Sequence, residues 1–221
     1  MRSSAFVIVC LLALAAPSAW AQTKAEKELA KYEKSLVKTE AALAQGNYKS
    51  AKSQLTKARK KIVSKLGAQN VLAPRMYLID ARCDLGLGMP KDFELDVENA
   101  LKTSFTIHGE SSEKYAAVLI DVADLNNQNG NYVVSRRHLD KAKELIDVGS
   151  YNKDAIRARL DIVLAETMVG QGFWNEALGL ARGRESYYAK RAVKTETVAD
   201  GKGGLKSRKI PEEELGGRLN D

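Results

Sequence analysis

Four glycines at an even spacing of 42 residues, Gly46, Gly88, Gly130 and Gly172, constrain this chain more than any other feature. A fixed period of that length marks an array in which one short unit is copied and stacked. The flanking residues keep register with the glycines. Two positions after them stand Tyr48, Pro90, Tyr132 and Trp174, and five after stand Ala51, Phe93, Ser135 and Ala177. Nine after stand Leu55, Val97, Leu139 and Ala181, and twelve after stand Ala58, Ala100, Ala142 and Arg184. Seven before stand Thr39, Ala81, Ala123 and Ala165, and ten before stand Leu36, Leu78, Ile120 and Ile162.

Each window reads as two helices. In the third, Ala116, Ala117, Ile120, Ala123 and Leu125 recur at helical rather than alternating spacing. Gly130-Asn131 then supplies left-handed backbone for a turn. Val134, Leu139, Ala142 and Ile146 form a second stripe, which Gly149 stops. Small residues on both sides of the turn let the helices of a pair approach closely. The aromatic just past the turn is expected to fill the gap between neighbouring pairs.

These offsets resemble the tetratricopeptide repeat. The 42-residue period, with Leu66-Gly67-Ala68-Gln69-Asn70 and Gly109-Glu110-Ser111-Ser112 between repeats, resembles its kinesin-light-chain-type variant. Thr39, Phe93, Ser135 and Arg184 depart from the small residues that the family places there. The resemblance covers about residues 26–193, in repeats of about 26–67, 68–109, 110–151 and 152–193. It implies an all-α, right-handed superhelical solenoid of four helix pairs, and a scaffold that binds a protein or peptide. It also implies that the first helix of each pair lines a concave groove. On those helices Arg75, Arg82, Asp124, Asn127, Arg159 and Glu166 are the candidate ligand residues, arginine being suited to bidentate contact with carboxylates. The same charges could instead pair with one another, Arg82 with Asp124 for example.

Outside the repeats the texture changes. Arg2, an apolar run from Ala5 to Ala16, and Ala19-Trp20-Ala21 have the layout of a signal peptide cut after Ala21, over residues 1–21. The run is too short to cross a bilayer, so the reading is a secreted or periplasmic protein with no transmembrane span. Removal of Cys10 with that segment leaves Cys83 without an intrachain disulfide partner. At the other end, residues 194–221 read as a β-hairpin or a linker, followed at Pro211 by the start of a further helix. The missing cap after Asp221 suggests further repeats in a longer parent protein.

Little in the chain points to catalysis. His108 and His138 lack the spacing of a zinc site, and Cys83 has no histidine placed to activate it. Gly201-Lys202-Gly203-Gly204 lacks the order and context of a phosphate loop. We therefore expect no enzyme activity, no cofactor and no metal.

Charge offers one more feature. Residues 24–66 hold 12 Lys or Arg against four Glu, densest at Lys57, Arg59, Lys60 and Lys61. Such a patch attracts anionic surfaces, but no aromatic residues interleave with it to stack bases, and a nucleic-acid partner is not expected. Two alternatives stand beside groove binding. One is a structural module of a cell-envelope complex; the other is adhesion to anionic surfaces through the basic first repeat.

Overall fold

The computed structural model describes residues 18–149, 153–192, 195–199 and 205–209. Among these, eight helices follow one another. They are Ser18–Ala44 (α1), Tyr48–Leu66 (α2), Ala73–Leu87 (α3), Pro90–His108 (α4), Glu113–Gln128 (α5), Tyr132–Val148 (α6), Lys153–Gly170 (α7) and Trp174–Ala192 (α8). Two short strands, Thr195–Ala199 (β1) and Leu205–Lys209 (β2), pair antiparallel with Thr195 opposite Lys209. Residues 1–17 and 210–221, on which most of the expected export signal and the expected further helix fall, lie outside the described residues. Among the described residues no helix is long and apolar enough to cross a membrane.

The chain divides between Glu110 and Ser111 into two compact units, at the border of the second and third repeats. In the first, α1 packs on α2, α2 on α3 and α3 on α4, and α1 also meets α3. The second repeats that order with α5 to α8, α5 meeting α7. Each unit is therefore a pair of helical hairpins stacked through consecutive helices, the arrangement of a helical repeat array.

The glycine period is visible in the backbone itself. Gly46, Gly88, Gly130 and Gly172 take φ of 73°, 70°, 77° and 86°, a left-handed conformation that a β-carbon would strain. With the chain so turned, the next amide closes the preceding helix in the same way four times. Asn47 donates to the Ala42 carbonyl, Met89 to Asp84, Asn131 to Asn126 and Phe173 to Met168, at 3.0, 2.9, 2.7 and 2.8 Å. These bonds satisfy carbonyls that a helix end otherwise leaves open. Between pairs the devices vary. The Asn70 side chain accepts from the Leu72 amide and donates to the Gly67 carbonyl, while Ser112 caps α5 by accepting from the Tyr115 amide.

Burial follows the same register. Leu36, Leu55, Ala81, Ala100, Ile120, Leu139 and Ala142 are all at most 1% exposed. The two departures at the position five after the turn are accommodated differently. Phe93 is buried outright, and Ser135 shares a hydrogen bond of 3.0 Å with Thr167. At the position where Leu36 and Ile120 are fully buried, Leu78 is only half-buried, and Ile162 is 60% exposed on the last pair. No further helix pair lies over it among the described residues.

Tyr48 and Tyr132 do fill the gap ahead of them, whereas Trp174, the aromatic after the last turn, is 63% exposed. A β-carbon on Gly86 would stand 2.4 Å from the Tyr48 ring, and one on Gly170 would stand 2.2 Å from that of Tyr132. The odd pairs thus carry a tyrosine that packs on a glycine two residues before the turn of the even pair that follows. The array repeats most faithfully over two pairs, 84 residues.

Candidate functional site

The groove candidates are partly spent within the fold. Arg75 on α3 makes a bidentate contact with Glu40 on α1, at 2.8 and 2.6 Å. That bond, against the opposing effect of burial, raises the guanidinium pKa further. Its counterpart Arg159 on α7 pairs with Asp121 on α5. Asn127 is buried rather than presented; it donates to the Val163 carbonyl at 3.2 Å and accepts from Thr167 at 3.0 Å. Arg82 is half-buried on α3. Asp124 and Glu166 lie close enough that burial first and Asp124 second push the Glu166 carboxyl up. Helix-to-helix pairing thus claims the two arginines whose position is repeated, and a burial requirement claims the asparagine.

The basic cluster also divides. Lys57, Lys60 and Lys61 are exposed on α2, whereas Arg59 turns inward. Its guanidinium pairs with Asp80 at 2.7 Å and lies 5.1 Å from the Tyr77 ring centre. Helical periodicity accounts for this, because Arg59 sits beside the buried stripe of Leu55, Ala58 and Ile62.

Arg59 belongs to a polar cluster that sequence reasoning missed. Asp80 and Asp84 stand one turn apart on α3, and Asp96 meets them from α4; one oxygen of each lies within 4.8 Å of the others. Lys52 on α2 holds one oxygen of Asp84, which is 1% exposed. Burial opposes the Lys52 ammonium, but the bond to Asp84 and the charges of Asp80 and Asp92 outweigh it and raise its pKa. Burial also raises the Asp80 carboxyl against the pull of Arg59 and Lys52. It pushes the neighbouring Cys83 thiol up to about 12, which keeps that cysteine in its unreactive protonated form.

The repeat itself shows that the scaffold does not need these acids. Eighty-four residues on, their positions are occupied by Leu164, Met168 and Leu180. That comparison was open to the sequence once the two-pair period was known. Three acids against Lys52 and Arg59 leave one negative charge in excess. A proton would balance it, whereas a divalent metal ion would turn the cluster net positive.

The second unit carries the opposite kind of feature. At its turns a hollow of about 440 Å³ is lined by Gly130, Tyr132, Val133, Val134, Gly170 and Phe173, together with Asn131 and Gln171. Val133 is 62% exposed and Phe173 51%. The matching residues of the first unit are Lys49, Ser50, Leu87 and Met89, so the two valines are what the second unit's lining has in place of polar side chains. A contiguous exposed apolar surface of this kind marks a place where another molecule gains by covering it.

A comparison of the sequence with protein-family models and with curated proteins finds no match to either.

Proposed function

We propose that this chain is a non-catalytic, exported protein-interaction scaffold of the tetratricopeptide-repeat kind, and that its partner docks at the turns of the second unit. The observation that carries the reading is the apolar hollow around Val133 and Phe173, where Val133 and Val134 stand in place of Lys49 and Ser50 of the first unit. An extended segment of a partner presenting one or two apolar side chains fits a hollow of about 440 Å³. The right-handed superhelix and its groove belong to the same reading. Arg75 and Arg159 there brace neighbouring helices.

The test is capture from the envelope and secreted fractions of the source cells with the full chain, at low and moderate salt. A defined protein kept at moderate salt, and lost when Val133 and Phe173 are both changed to Ser, supports the reading. Lys57, Lys60 and Lys61 are exposed together and give adhesion to anionic surfaces a specific footing as a second reading. Capture that vanishes at moderate salt, or on changing those lysines to Glu, favours it instead.

A further inference from the structure

A buried oxygen without a donor marks the place where the first unit carries more than its fold requires. Lys52 occupies Oδ1 of Asp84, and Oδ2 has no hydrogen-bond partner although the residue is 1% exposed. Such an atom forfeits its hydration without compensation, and a native fold seldom leaves it so. Asp96 on α4 brings a carboxylate oxygen within 4.8 Å of one of Asp84's. While both carboxylates are ionised each offers only acceptors, and they repel. One proton between them turns that repulsion into a hydrogen bond.

The surrounding charges do not remove the need for that proton. From α2 come Lys52 and Arg59, already engaged by Asp84 and Asp80. From α3 come Asp80, Asp84 and the neutral thiol of Cys83. On α4 itself, Asp92 acts on Lys52. Leu164, Met168 and Leu180 occupy the corresponding positions of the second unit, which therefore lacks the device.

We propose that Asp84 and Asp96 share one proton, held by the first unit in mild acid and released across neutral pH, so that the packing of α3 against α4 responds to pH. Burial, the charge of Asp80 and the hydrogen bond with Asp84 push the Asp96 carboxyl up from 3.8 to about 7, and the pair titrates as one system. The folded chain therefore holds a proton that the unfolded chain has already lost. The stabilisation is complete below the ordinary carboxylate range and disappears as pH rises through about 7. In an exported protein this would tie the rigidity of the first unit to the acidity of its surroundings.

Carbon-detected carboxyl NMR on the full chain, between about pH 5 and about pH 9, reads the proton directly. Thermal melts of the wild type and Asp96→Asn over the same range read its consequence. The expected result is one carboxyl signal with its midpoint near 7, absent from Asp96→Asn. Relative to the variant, the wild-type melting temperature should fall as pH rises towards that midpoint and level off above it. Groups common to both proteins cancel in that difference. Should Asp96→Asn not fold, Asp84→Asn is expected to bring the Asp96 midpoint down towards the ordinary range. Carboxyl midpoints all in that range, or a wild-type melt as level as the variant's, overturns the proposal. So does a rise in wild-type melting temperature on adding calcium, magnesium or manganese, which would make the cluster a metal site.

Discussion

The Tyr48 ring lies so close over Gly86 that a β-carbon there would come within 2.4 Å of it, and Tyr132 over Gly170 repeats the arrangement. Both glycines are helical and unstrained in φ, so space, not backbone conformation, selects them. Gly86→Ala is expected to lose about 1–3 kcal/mol through displacement of the ring and the helix beneath it. Gly179, also inside a helix but with nothing within 4 Å of an added β-carbon, is the control. There alanine should stabilise by about 0.5–1 kcal/mol. Urea melts of both variants decide it, and equal effects would mean the ring does not constrain Gly86.

Lys52 is the counter-charge of a carboxylate that has almost no access to water. Lys52→Met should cost about 3 kcal/mol at mildly alkaline pH, because it strands the buried Asp84 charge. The loss should shrink as pH falls, since the raised Asp80 and Asp96 carboxyls take up protons and relieve the excess. Denaturant titrations at two pH values measure the difference. A loss that grows in acid would contradict this account of the cluster.

Thr167 donates or accepts at three points, with Asn127, Ser135 and the Val163 carbonyl, while fully buried. Thr167→Val keeps its shape and strands the partner groups on α5 and α6. A loss of about 1–3 kcal/mol is expected for groups left unsatisfied inside the protein. Thr167→Ser should restore most of it, which separates the hydrogen bonds from packing in the same set of melts.

Arg75 and Arg159 should prove weak contributors to stability despite their well-formed pairs. Both are more than a third exposed, and such pairs are worth about 0–1 kcal/mol. Arg75→Ala with its partner change Glu40→Ala, compared with each single variant, measures the coupling. A coupling much above that range would make the pair a structural clamp rather than a surface brace.

The helices and turns were legible because backbone geometry reports itself in residue type. Gly88 and Gly130 stand where φ must be positive, and Leu36 and Ile120 stand where a neighbour must be covered. The charged sites were harder to read, since an arginine on a helix says nothing about what it meets 35 residues away. Arg75 looked available and is engaged by Glu40; Asn127 looked exposed and is buried. Asp80, Asp84 and Asp96 were invisible for a further reason. A 42-residue comparison aligns them with Val122, Asn126 and His138, a mixed set, while an 84-residue comparison aligns them with two leucines and a methionine.

The alternation of ring and glycine limits how such a chain can change its length. Deleting one helix pair would set Tyr48 against Gln128, whose side chain occupies the position where Gly86 leaves room. Deleting two would bring it to Gly170 and preserve the fit. Gene rearrangements, or a designer extending the array, should therefore be tolerated in even numbers of pairs and rejected in odd ones.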